Sequence, residues 1–125
     1  MTISGVVNAG REAVIRLRVR GPGGSVTEVD AVIDTGYSGV MALPAAQCMI
    51  LGLPRRAGVT TVLADGSRRR VASYGAEVEW GGGWRPIAVT AVGGEALAGM
   101  GLLAGHELRV EVIAGGAVSV RPLGG

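Results

Sequence analysis

The sequence predicts a single mainly-β domain with short turns and one or two short helices. Three observations carry that expectation. The 125 residues hold no linker and no low-complexity tail, so residues 1–125 fit one domain. Apolar and polar residues alternate in Glu12–Arg20, with Ile15, Leu17 and Val19 on one face and Arg16, Arg18 and Arg20 on the other. That is the pattern of a half-buried strand with a solvated charged face. The 23 glycines have no collagen-like period and cluster between apolar runs, where they read as turns.

In chain order, Gly21-Pro22-Gly23-Gly24 is a turn, and Val26–Ile33 is a return strand that becomes fully apolar as it approaches Asp34. Val40–Leu43 is a short buried strand. Pro44 stands where a helix can begin, because its missing donor is tolerated in the first turn. Ala45–Leu51 follows as a short helix, with Gly52 as its stop. Gly58–Trp80 reads as two long strands about a tight turn at Asp65-Gly66, with Arg68, Arg69 and Arg70 beside the tip as a solvated run. Gly81-Gly82-Gly83 turns the chain between Trp80 and Trp84, which cover an edge of the core, and Trp84–Val92 is a further strand. Ala96–Leu108 is an apolar, glycine-containing segment, with His106 on the surface near the end of a helical turn. Arg109–Arg121 is a hairpin turning at Gly115-Gly116. An apolar strand leading into a glycine turn occurs at Ala31–Gly36 and again at Ala96–Gly101.

Composition excludes several function classes. With 48% hydrophobic residues a packed core is available, and with no Phe it must be built from Val, Ile, Leu, Ala and Met. A net charge of +2, with Trp80, Trp84, Tyr37 and Tyr74 as the only aromatics, does not make the basic, stacking surface of a nucleic-acid binder. Cys48 is the only cysteine, so no internal disulfide forms. The first residues lack a basic start followed by an apolar run, and no run is long enough to cross a bilayer. The expectation is a soluble, cytoplasmic protein with no membrane or nucleic-acid partner. No His, Cys and carboxylate group has metal-ligand spacing, and a Cys48–His106 dyad lacks an orienting third residue, so Cys48 reads as a buried small hydrophobe.

The chain is organised around Val29–Pro44, VDAVIDTGYSGVMALP. It delivers Asp34 to the end of an apolar strand, and a carboxylate buried there is costly unless partners satisfy it. Asp34-Thr35-Gly36 has the composition of an ordinary Asx turn at a strand end. It also has company. VIDTGYSG, a helix, a hairpin tipped by ADGS and then LAGMGLL occur in an order that resembles a single-lobe aspartic protease of the retropepsin type, and within that group the small bacterial members. The resemblance spans roughly Glu12 to Val112.

This resemblance implies a closed, mostly antiparallel β barrel. It implies that Asp34 is the catalytic residue, within an active-site loop that includes Thr35, Gly36 and Ser38. The Thr35 hydroxyl would cross-link two such loops, and Gly36 would let backbone approach closely. Residues 63–70, centred on Ala64, Asp65, Gly66 and Ser67, resemble the flap that closes over substrate. Leu97, Ala98 and Gly99 resemble the supporting apolar-Gly segment. Three features depart from the pattern. Tyr37 stands where a small residue is usual and would narrow the site. Met100 stands where a charged residue is usual. The residues before Glu12 do not match the interface strand of viral members.

Peptide hydrolysis of this kind needs two carboxylates sharing a proton. Only Asp30, Asp34 and Asp65 are aspartates; Asp30 lies four residues earlier on the same strand and Asp65 at a hairpin tip. The economical arrangement is a homodimer with one Asp34 from each chain. The function expected is an aspartic endopeptidase acting on polypeptide between apolar residues, without a cofactor or metal. The alternative is a catalytically inactive dimerisation or peptide-binding module.

Overall fold

The computed structural model describes residues 1–124. Its elements in chain order are β1 (Ile3–Val7), β2 (Ala13–Arg20), β3 (Val26–Asp34), β4 (Met41–Leu43), α1 (Ala45–Ile50), β5 (Arg55–Val62), β6 (Arg68–Trp80), β7 (Gly83–Ala91), β8 (Leu97–Gly99), α2 (Met100–Leu103), β9 (His106–Val110) and β10 (Ala117–Pro122). The strands form one sheet in the order β5-β6-β7-β4-β8-β3-β2-β1-β10-β9. A further pairing of β2 with β6, Val19 opposite Val78 and Arg20 opposite Glu77, closes six of them into a barrel. Pairing is antiparallel except at β3–β8 and β4–β7. β5 projects from one side of the barrel as the partner of β6, and β1, β10 and β9 extend the sheet on the other.

The barrel fills from one face of each strand. Ile15, Leu17 and Val19 of β2 are buried against Val29, Ala31 and Ile33 of β3, with Met41, Leu43, Val78, Val89 and Leu102 completing the core. The strand alternation of period two therefore reports burial directly. The opposite face of β2 is more than solvated. Arg16 Nε donates to Asp30 at 2.9 Å, Arg18 reaches Glu79 and Arg20 reaches Glu77 at the same distance, and the Arg20 guanidinium lies 4.2 Å over the Trp84 ring. Exposed pairs like these stabilise little individually, but they tie β2 to β3 and β6 on the outside of the closure.

Turns follow their residues. Gly81 and Gly82, at φ 67° and 83°, join Trp80 to Gly83 in the two-residue form that suits strand twist. α1 starts just after Pro44 and ends at Ile50, with Leu51 as its C-cap and Gly52 at φ 64°. It faces Cys48 to the core, whose thiol burial pushes up to a pKa above its usual value.

The structure departs from the sequence expectations at the two ends. Ile3–Val7 is a strand, paired with β10 and β2, although the sequence offers little alternation there. Gly5 permits it, because a Cβ at that position would collide with the Val14 carbonyl. The apolar segment 96–108 divides into β8, α2 and the start of β9. Gly105, at φ 81°, stops the chain after α2, so His106 opens a strand rather than closing a helical turn. The last hairpin accordingly pairs His106–Val110 with Ala117–Pro122 and starts three residues before Arg109.

Candidate active site

The site is built where β3 ends. β8 runs parallel to it, with Val32 opposite Leu97, Ile33 opposite Ala98 and Asp34 opposite Gly99. β8 also pairs antiparallel with β4, so Ala98 is held between the strands that enter and leave the Asp34 loop. Three backbone bonds then clamp that loop to the second one: Gly99 N–H to the Val40 carbonyl at 3.0 Å, Met100 N–H to Tyr37 at 2.7 Å and Gly101 N–H to Gly39 at 3.0 Å. The faint repeat of an apolar strand entering a glycine turn is thus a physical juxtaposition of two loops.

Asp34 is half-buried. Its Oδ1 accepts the Gly36 N–H at 2.9 Å, and its carbonyl accepts the Tyr37 N–H at 3.1 Å. These are the bonds of an Asx turn, so the plain reading of Asp-Thr-Gly is correct as local structure and compatible with a chemical role. Thr35, Gly36 and Ser38 are exposed on the loop.

Tyr37 does not simply crowd the site. Its hydroxyl donates to Thr90 Oγ1 on β7 at 3.0 Å, and its ring packs against Gly39 and Gly99. Thr90 is one of only two buried polar residues among the described ones, which gives that bond weight. Tyr37→Phe is expected to lower stability by about 1 kcal/mol while leaving the barrel intact, as chemical denaturation would measure. A variant as stable as wild type would mean that the Thr90 hydroxyl is satisfied without it.

Above the loop hangs the β5–β6 hairpin. Its tip is a three-residue loop: Gly66 N–H bonds the Leu63 carbonyl at 2.9 Å, Leu63 N–H bonds Ser67 at 2.8 Å, and Gly66 is at φ 84°. Asp65 Oδ1 accepts both the Ser67 N–H at 2.8 Å and the Ser67 hydroxyl at 2.6 Å. The hydroxyl first and the amide second hold the Asp65 carboxyl below its usual pKa. The ionised form is therefore favoured in the ordered tip. Tip order is full above the free carboxylate pKa and is lost as pH falls through the lowered value. The Ser67 amide resonance should report that titration at a pH below the ordinary aspartate range. Titration at the ordinary position would remove this account of the tip.

Between hairpin and loop lies a cleft of about 440 Å³. Asp34, Gly36, Tyr37 and Leu97 line one side, and Thr61, Val62, Leu63 and Ala64 line the other. Val92 and Gly93 also border it, and nothing in the sequence marks them, because only the turn after β7 brings them there. Of the expected flap residues, Leu63 and Ala64 reach the cleft; Asp65, Gly66 and Ser67 shape the tip beyond it. On its other side Asp34 borders a second cleft of about 420 Å³, with Thr35, Ile33, Leu108, Val110 and Val112.

No group of His, Cys, Asp and Glu among the described residues is arranged to hold a metal ion. The thiol–imidazole alternative fails on placement: Cys48 is buried in the core, and His106 Nδ1 donates to the Ala104 carbonyl while its ring meets Trp80 edge-on.

No protein-family model matches the chain, and no curated protein sequence does. A solved structure does match. The crystal structure of a retropepsin-like aspartic protease from Rickettsia conorii superposes on it with a TM-score of 0.60, covering 96% of this chain and 89% of that one, at 18% identity. The chain has the retropepsin fold. At that identity the likeness is one of backbone arrangement. The shared fold accounts for the closed six-stranded barrel and the two short helices. None of the helices in the described residues is long and apolar enough to cross a membrane.

Proposed function

We propose that the protein is an aspartic endopeptidase acting as a homodimer, with Asp34 of each chain forming one shared site. The observation that carries this reading is the half-buried Asp34 carboxylate in a cleft roofed by a hairpin. The backbone around it is fixed by bonds that do not use Oδ2, so the side chain can face a second copy. Two carboxylates at hydrogen-bonding distance cannot easily both ionise, and the pair shares a proton. The ionised member takes a proton from water as the water oxygen attacks the scissile carbonyl carbon. The protonated member donates to the carbonyl oxygen. Collapse of the tetrahedral adduct breaks the C–N bond; the departing nitrogen takes the proton that the first carboxylate received from water, and an adduct hydroxyl returns a proton to the second carboxylate as the new carboxyl group forms.

The two-fold axis would pass beside Asp34 on the Thr35 side, where Val112, 64% exposed, borders the same cleft. An isologous contact there would set like loops face to face, with each Thr35 hydroxyl available to bond the opposite loop. Extended polypeptide would lie between loop and hairpin. The test is cleavage of an unfolded polypeptide by wild type and by Asp34→Asn; equal cleavage by both would sink the proposal. Met100, apolar and 46% exposed beside the loop, favours a second reading in which the dimer binds peptide without cutting it. On that reading neither protein cleaves.

A further inference from the structure

The hairpin over Asp34 is unusually basic. Arg55 and Arg56 lie on β5 and Arg68, Arg69 and Arg70 on β6, all of them exposed. None is ion-paired among the described residues, as Arg11, Arg85 and Arg109 elsewhere are not, whereas Arg16, Arg18, Arg20 and Arg121 are; the hairpin is distinguished by holding five such arginines together. The one acid at this end of the hairpin, Asp65, is occupied by Ser67. The protein's small net charge of +2 therefore conceals a local excess of unpaired cations.

Their position gives the excess a direction. Arg69 and Arg70 line a cleft of about 320 Å³ that also includes Ala45, Val92 and Gly93. Val92 and Gly93 border the Asp34 cleft as well, so the two depressions adjoin. Register agrees: Arg69 is directly opposite Thr61, which lines the Asp34 cleft, and opposed residues share a face of the hairpin. Arg70, opposite Thr60, points to the other face of the hairpin, its Nε within 3.3 Å of where a Cβ on Gly58 would stand, so it borders the cleft beside Arg69 rather than from the same face.

We infer that Arg69 and Arg70 form an anion subsite for the substrate, so that the polypeptide acted on carries Asp or Glu residues a few positions from the bond at Asp34. This deepens the endopeptidase reading and rests on it. An extended chain advances about 3.3 Å per residue, so a segment seated at Asp34 reaches the neighbouring cleft within a few residues. An acidic side chain there meets the Arg69 guanidinium, which has no ion-pair partner among the described residues, with the Arg70 charge added from the adjacent position, and guanidinium suits a carboxylate because it can bond both oxygens. The adjoining Asp34 cleft argues for polypeptide over nucleic acid, since it places a carboxylate and apolar side chains where a nucleic acid would need continuous positive charge.

The test uses two fluorogenic peptides with the same apolar central pair, flanked by glutamates in one and glutamines in the other. Wild type is expected to favour the glutamate peptide roughly tenfold in kcat/KM at low salt, at about fivefold or less for each exposed charge pair. The preference should shrink as salt is added. In Arg69→Gln/Arg70→Gln the ratio falls toward one. Where wild type cuts, equal rates on both peptides, or a preference that survives the double substitution, would overturn the inference. Binding of the same peptides to Asp34→Asn, read by fluorescence anisotropy, separates this inference from the enzyme reading. If neither peptide is cut yet the glutamate peptide binds more tightly through Arg69 and Arg70, the acidic-ligand inference holds and the endopeptidase reading falls. Equal binding of both peptides overturns the inference whatever is cut. Tighter binding of a single-stranded RNA oligonucleotide through the same arginines overturns it in favour of a nucleic-acid surface.

Discussion

Asp34→Asn should abolish cleavage and leave the fold in place. The structural half follows from the hydrogen bonds. The loop uses Asp34 Oδ1 only as an acceptor for the Gly36 N–H, and an Asn side-chain oxygen can serve there equally. The β3–β8 register depends on backbone alone. The chemical half follows from what an amide cannot do: it neither takes a proton from water nor passes one on near neutral pH. Loss of a general acid–base group costs about 10²–10⁴-fold, and a symmetric dimer loses both at once, so the variant should fall below detection while its thermal unfolding stays near that of wild type. A mixing experiment is sharper. If two chains share one site, wild type refolded with excess Asp34→Asn loses activity per wild-type chain, because most wild-type subunits are then paired with an inert partner. Undiminished activity per wild-type chain would mean that a single carboxylate suffices, and the shared-site mechanism would have to be abandoned.

How much of this was legible in the sequence depends on whether the signal was local. The strand faces were legible: Ile15, Leu17 and Val19 point inward because side chains alternate, and one face of β2 meets the core. The hairpin at Asp65-Gly66 was legible because a left-handed position suits glycine. The pairing of Asp34 with Gly99 was reachable only through the ordered resemblance, since no periodicity links residues 65 positions apart. The ends of the chain were not legible. β1 holds its place by pairing with β10, more than a hundred residues away, and its own five residues contain a glycine in place of a fifth side chain. His106 differs from the sequence expectation because glycine also occurs at 99 and 101 within the apolar segment, so composition alone does not single out Gly105, at φ 81°, as the stop. The Tyr37–Thr90 bond was invisible for the same cause as the Val92–Gly93 border, because the end of β7 is brought to the site by long-range pairing, parallel with β4 and antiparallel with β6. The arginines had the opposite fate. Those on β2 read as solvated but are paired across strands, and the run at 68–70 also read as solvated but adjoins the cleft without partners.

The second large effect is expected away from the carboxylate, at Gly99. Its backbone, φ −96° and ψ 176°, is ordinary extended chain, so conformation alone would admit any residue. Space would not. A Cβ on Gly99 would overlap the Gly39 carbonyl oxygen and come within 2.6 Å of the Tyr37 ring and 2.8 Å of the Tyr37 carbonyl. Two of these three obstacles are backbone atoms of the loop that carries Asp34, so no rotamer change relieves them. The loop must lift away, straining the bonds from Gly99 N–H to Val40 and from Met100 N–H to Tyr37. Overpacking of a well-filled site typically costs about 1–3 kcal/mol, and immovable neighbours place Gly99→Ala at the upper end or beyond. A domain whose total stability is of order 5–15 kcal/mol would show that as a clear fall in its denaturation midpoint. Gly23→Ala is the matched control, because nothing lies within 4 Å of a Cβ there and the backbone is not left-handed; it should change stability by less than about 0.5 kcal/mol. If Gly99→Ala behaved like Gly23→Ala, the two loops would not be in contact as described. Because the strain falls on the Asp34 loop, any Gly99→Ala protein that still folds should also lose cleavage more than its folded fraction accounts for, while Tyr37→Phe, which keeps the ring on Gly39 and Gly99, should not.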